Sequence, residues 1–322
     1  MTDAPDMAVR PIRRETARAL AGLARGALAL AVARRPFVEI AASIIVRAPN
    51  AGRPAPAPLP GEWRIRVGAS GGAFGDTSAS GGGSEAVLSV RVVSPAAQDR
   101  RPRATVFVLH GVRDSQATMG EWASLLTREG YRAVLVDSRG HGRSTGDVLT
   151  YGVNEARDLG VVLDAVAARE GPLGPIGAMG HSYGAATAIL WAGKEPRVRA
   201  VVAVSPFASL RAVVPGYLPL NLPADFARRI VDTAGRLAHF DPDDASPLDA
   251  AGRTTAALLL VHGKDDARIP FAHAQQIVAA AAAAGAPTEL VLVEGAHHDN
   301  VAGAQATRLA ERAVAWFRRY LR

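Results

Sequence analysis

The 322-residue sequence contains no cysteine. Disulfides, thiolate catalysis and cysteine-ligated metals are excluded at the outset. Lysine is nearly as scarce: Lys194 and Lys264 are the two, and arginine carries the rest of the basic charge. The net charge of +7 is unevenly placed. Residues 1–60 hold nine arginines against the four acids Asp3, Asp6, Glu15 and Glu39, while the remaining body is close to neutral. With arginine standing in for lysine throughout, this reads as a compositional bias rather than a basic binding stripe. No nucleic-acid partner is expected.

Other signatures are missing too. The Asp137–Ser144 and 68–85 stretches lack the G-x-x-x-x-G-K-S/T layout of a phosphate loop, and the histidines lack H-E-x-x-H spacing. Neither a catalytic zinc nor a cofactor is implied. No internal repeat is visible. In the N-terminal arm the clean apolar run, Gly26 to Ala33, falls far short of the roughly 20 residues a spanning helix needs.

What is present divides into an arm with a proline-rich linker over residues 1–60 and an α/β body over residues 61–322. Ile12–Ala33 has helical periodicity, with Arg14, Arg18 and Arg25 on one side and Leu20, Leu23 and Leu30 on the other. Two placements suit such a helix. It would lie on a membrane surface with its arginines toward the headgroups, making residues 12–33 a peripheral membrane contact of a cytoplasmic protein, or pack on the body. Secretion is a third reading, since Ala31-Val32-Ala33 has the form of a cleavage site, although the leader before it is long and basic. Pro54, Pro56, Pro58 and Pro60 mark an extended linker. Glu62–Val67 and Ala86–Val93 alternate like strands of a hairpin around a glycine-rich loop.

From residue 104 onward, strands and helices alternate. Strands are expected at Ala104–His110, Arg132–Asp137, Pro175–Gly180, Val198–Val204, Ala257–His262 and Thr288–Glu294. Helices are expected near Gln116–Glu129, Val153–Arg169, from Tyr183, at Ala272–Ala284 and at Val301–Leu321. Apolar strands separated by helices predict a mostly parallel sheet covered on both faces. Ligands of such sheets bind beyond the carboxyl ends of the strands, which is where the polar motifs fall.

The central motif is Gly180-His181-Ser182-Tyr183-Gly184, a G-x-S-x-G between a predicted strand and helix. A serine on so tight a turn projects its hydroxyl into the open, and the residues two away on either side must lack side chains. A nucleophilic serine needs a base, and the base an orienting acid. The turn after the last strand offers His297 and His298; the turn before it offers Asp265 and Asp266. The backbone N–H of Tyr183 would serve a developing oxyanion, with a second donor from the turn after the first parallel strand.

From about residue 86 onward the chain resembles the α/β-hydrolase superfamily. The resemblance rests on Leu109-His110-Gly111, the Gly180–Gly184 elbow, His262-Gly263-x-x-Asp266-x-x-Ile269-Pro270 and Gly295-Ala296-x-His298. It implies an α/β-hydrolase fold with a small cap at about 207–253, and a catalytic set of Ser182, Asp266 and His298. It also implies that Val112 is the second oxyanion donor. Position 297 carries histidine where the family usually has glycine. His110, His181, Asp137 and Arg139 are read as structural, and the Tyr183 side chain as pocket lining.

Phe207, Leu210, Tyr217, Leu218 and Leu220 suggest an apolar pocket or the cap's own core, with a short helix near Asp225–Leu237. The reading is a serine hydrolase acting on a small-molecule acyl ester. A peptidase, a thioesterase and a non-catalytic hydrolase-fold binding protein are the alternatives.

Overall fold

The computed structural model describes residues 35–68, 84–96, 101–218, 223–301 and 306–322. The expected Ile12–Ala33 helix, most of the glycine-rich loop and Leu220 lie outside the described residues.

Eight strands form one sheet in the order β1-β2-β4-β3-β5-β6-β7-β8. They are β1 (Glu62–Val67), β2 (Ala86–Val93), β3 (Thr105–Leu109), β4 (Arg132–Val136), β5 (Ile176–His181), β6 (Val198–Val204), β7 (Ala257–Gly263) and β8 (Thr288–Val293). The β1–β2 hairpin joins antiparallel at the β4 edge, and every other pairing is parallel.

The central strands read as continuous apolar runs because both of their faces are covered. In β3, Phe107 and Leu109 pack among residues of α3 (Val153–Glu170), α4 (Tyr183–Ala192) and α8 (Ala272–Ala283). Val106 and Val108, one position out of phase, pack among residues of α2 (Gly120–Arg128) and α9 (Ala306–Tyr320) on the other face. The predicted Gln116–Glu129 helix opens with a 3-10 turn over Gln116–Met119 before α2 begins.

Between β6 and β7 lie α5 (Leu210–Tyr217), α6 (Ala224–Ala238), a 3-10 turn (Pro242–Asp244) and the short α7 (Pro247–Ala251). Helix α6 matches the predicted cap helix to within one residue at each end. Ala250 and Ala251 of α7 join the core beside the sheet rather than the cap.

The unanticipated element is α1, Arg35–Val46, within the stretch read as arm and linker. Val38, Ala42 and Val46, spaced by four, pack against Phe226, Ile230, Ala234 and Ala238 along α6. Its end is stitched to the loop between β4 and α3. Leu149 N–H donates to Val46 O (2.8 Å), Ala48 N–H to Asp147 O (3.0 Å) and Asn50 N–H to Gly140 O (2.9 Å). The Tyr151 hydroxyl donates to Ile45 O at 2.8 Å. No described helix is long and apolar enough to cross a membrane.

The turn after β4 is held by buried charge. Arg139 donates in a fork to both carboxylate oxygens of Asp158, each at 2.7 Å, with both side chains nearly inaccessible. Asp137 accepts from the Gln116 and Arg143 N–H groups at 2.7 and 2.9 Å. Removing one member of such a pair strands a buried charge. Arg139→Met or Asp158→Leu alone is expected to lower unfolding free energy by about 3–5 kcal/mol, and the double change to recover much of that loss. Urea unfolding of both single variants and the double variant tests this; singles within about 1 kcal/mol of the parent would contradict it.

Candidate active site

The site lies at the carboxyl ends of β5, β7 and β8, where the motifs leave the sheet. Ser182 sits between β5 and α4 with φ +54° and ψ −115°, a region that side-chain-bearing residues seldom adopt. The flanking glycines explain how the turn is made. A Cβ at Gly184 would stand 2.6 Å from Leu109 O and 2.5 Å from His110 O. One at Gly180 would come under 3 Å from the backbone of Gly184. No side chain fits in either place. Ser182 N–H donates to Val204 O (2.8 Å), tying the turn to β6.

Three side chains predicted from the motifs come together. His298 Nε2 is 2.9 Å from Ser182 Oγ, and His298 Nδ1 is 2.7 Å from Asp266 Oδ2. All three are buried. Burial alone would raise the Asp266 carboxyl pKa. Hydrogen bonds from His262, His298 and the Ile269 N–H outweigh it and hold the group well below the usual carboxylate range. Oδ1 accepts the N–H groups of Arg268 (3.0 Å) and Ile269 (2.8 Å). An ionised Asp266 only accepts, so the proton sits on His298 Nδ1. That leaves Nε2 as acceptor for the Ser182 hydroxyl.

The alternatives are placed elsewhere. His297 is exposed; its Nδ1 lies 2.9 Å from Asp265 O, and its N–H donates to Asn300 Oδ1. Asp265 N–H donates to Ala296 O, so both residues brace the two turns against each other.

His181 also has structural work. Its Nε2–H donates to His298 O at 3.0 Å, fixing the main chain of that loop to the end of β5. His110 Nδ1–H donates to Gly111 O and its Nε2 accepts Ser138 N–H. Burial pushes the pKa of both His110 and His181 down, keeping them neutral in these roles.

The residues predicted as oxyanion donors, Tyr183 and Val112, border the same cavity as Ser182. Tyr183 opens α4, so its N–H has no helical carbonyl to bind. Val112 N–H donates to no main-chain carbonyl among the described residues. Tyr183 borders the pocket, as expected of it. Its ring is buried against His141 (5.4 Å) and edge-on to Tyr151 (6.1 Å).

In front of Ser182 opens a cavity of about 620 Å³. The anticipated Phe207, Tyr217 and Leu218 border it, joined by Val213 and Val214 of α5; Leu210 is buried in the cap core instead. The sequence reading missed a further wall, made by Phe37, Ile40, Ala41, Ile44 and Ile45 of α1. The signal was there: turned at 100° per residue, these five form one contiguous stripe beside Val38, Ala42 and Val46. The charged residues on the wall are Arg47 and Arg113, and no Asp or Glu borders the cavity among the described residues.

Comparison with known proteins gives consistent relatives. A family described as serine aminopeptidase, S33, matches residues 100–246. The uncharacterized protein YqkD of Bacillus subtilis (strain 168) is 30% identical over 185 residues, covering 54% of this chain. The chain spans 58% of the length of that curated relative. Among solved structures, the Pyrococcus furiosus esterase Pf2001 superposes with a TM-score of 0.62 at 19% identity, over 85% of this chain and all of that one. The Porphyromonas gingivalis dipeptidyl peptidase 4 superposes at 0.58 and 21% identity, over 73% of this chain and 34% of that one.

The glycine contacts make a specific demand. Gly184→Ala is expected to destabilise the fold by about 3 kcal/mol, because backbone rather than a yielding side chain opposes the new methyl. Thermal unfolding measures it; an unchanged Tm would mean that β3 and α4 are less closely apposed than described.

Proposed function

We propose, for a chain that belongs to the α/β-hydrolase superfamily, that it cleaves carboxylic esters of apolar acyl groups through a Ser182 acyl-enzyme. The observation that carries this reading is the hydrogen-bonded series Asp266–His298–Ser182 ending on an apolar cavity.

In the first half-reaction His298 Nε2 takes the Ser182 proton as Oγ attacks the ester carbonyl. The oxyanion that forms is met by the N–H groups of Tyr183 and Val112, each donor contributing about 3–4 kcal/mol. Asp266 stabilises the imidazolium without taking its proton. His298 then protonates the leaving alcohol. In the second half, His298 draws a proton from water, the hydroxide adds to the acyl carbon, and Ser182 leaves with the proton returned.

The cavity wall favours an ester over an aminopeptidase substrate. An aminopeptidase has to hold a free ammonium group, and among the described residues the charged groups on this wall are the like charges of Arg47 and Arg113. An apolar acyl chain gains by leaving water here.

A fluorophosphonate probe is expected to label Ser182, as mapped by peptide sequencing, and to leave Ser182→Ala unmodified. Label on another residue, or undiminished labelling of the variant, would remove the nucleophile from this account. Asp266→Asn is expected to reduce kcat by about 10⁴-fold with the fold intact, by loss of the correct imidazole tautomer. A panel of aryl esters and aminoacyl amides separates the substrate classes, and faster amide turnover would move the assignment to a peptidase.

A further inference from the structure

Helix α1 belongs to none of the motifs, yet it forms one side of the chamber in front of Ser182. We infer that α1 is the acyl-selecting wall of the site: Ile40, Ala41 and Ile44 contact the acyl chain of the substrate and set a preference for medium to long chains. This rests on the ester reading above.

The helix divides its surface three ways. Val38, Ala42 and Val46 are spent on the cap helix α6. Glu39 and Ser43 face solvent. The remaining stripe, Phe37, Ile40, Ala41, Ile44 and Ile45, borders the cavity, with the half-buried Phe37, Ala41 and Ile45 also packing against the α6 seam. Ile40 and Ile44 are 59% and 58% exposed, together with Tyr217 (52%) and Val112 (38%) on the same cavity. Four large apolar side chains around one opening next to a nucleophile lose their water only when a ligand lies among them.

The wall is also held in register with the reacting atoms. The Tyr151 hydroxyl bonds Ile45 O at the end of α1, while its ring packs edge-on against Tyr183, the residue after the nucleophile. One side chain thus spans from the wall to the oxyanion turn. Tyr151 itself has φ +53°, a strained conformation retained where both contacts meet.

Size decides the substrate class. At about 620 Å³ the chamber falls among pockets that enclose whole drug-sized ligands, and an acetyl group would leave most of it wet. Each further methylene buried against the wall is worth about a fourfold gain in kcat/KM.

The test uses the full chain and two readouts. Hydrolysis of p-nitrophenyl esters from acetate to dodecanoate should accelerate by up to about fourfold per methylene and then level off. Ala41→Phe, which fills the chamber, should bring the plateau several carbons earlier. Ile44→Ala, which thins the wall, should flatten the rise. Binding of decanoate to the Ser182→Ala chain, by calorimetry, needs no turnover and should weaken by about tenfold or more in the Ala41→Phe and Ile44→Ala backgrounds. A chain-length profile and a decanoate affinity that neither substitution moves would overturn the wall. If no ester is hydrolysed but both substitutions weaken decanoate, the wall stands and the ester reading falls.

Discussion

The close apposition of two backbones, at Gly184 against the carbonyls of Leu109 and His110, is the constraint on which the rest of the site depends. It is a contact made by the absence of side chains. Because α4 can come that near to β3, its first turn stands beside the loop leaving β3, and Ser182, Tyr183 and Val112 border one cavity. The strained φ of Ser182 is tolerated because α4 is buried along its whole length, so no alternative turn is available without exposing that surface. Packing energy far from the serine thereby holds its hydroxyl at the cavity, within reach of His298.

Around this point the charges are sorted by solvation. His110 and His141 are buried and His181 is half-buried, none with a carboxylate hydrogen bond, and desolvation pushes each toward the neutral form, His141 down to about 4. Asp266 is buried too, yet it remains ionised because hydrogen-bond donors converge on it. The site therefore contains several imidazoles but only one that faces a carboxylate and the nucleophile together. The arrangement selects His298 by its partners rather than by any property of imidazole itself.

The parts legible in the sequence are those set by short-range rules. The strands read as apolar runs because both sheet faces are covered, and β2 and β6 match their expected limits. Ser182 was legible because the glycine spacing is a steric requirement. Asp266 and His298 needed more: two aspartates and two histidines compete, and the resemblance alone chose between them. What separates them physically is invisible in one dimension. His297 points to Asp265 O on the exposed side of the turn, whereas His298 is buried toward Asp266. Helix α1 was not legible as a functional element, because its apolar residues serve two surfaces at once. The seam with α6 and the lining of the cavity together make most of the helix apolar, which obscures a simple two-sided pattern.

That double duty couples stability to specificity. Helix α6 presents Phe226, Ile230, Ala234 and Ala238 on a face that α1 covers. Without α1 this face would be wet and the chamber would lose a wall in the same event. The seam between α1 and α6 and the wall in front of Ser182 are adjoining faces of one twelve-residue helix. A substitution that shifts α1 on α6 would move Ile40 and Ile44 relative to the serine, against the restraint of the Tyr151 and Leu149 hydrogen bonds to α1. The reacting groups, by contrast, are fixed by β5, β7 and β8 and by hydrogen bonds among their own turns. The Ser182–His298–Asp266 series and the α1 wall thus rest on separate parts of the chain, so under the proposed ester reading the acyl preference can change through α1 and the cap while that series stays in place.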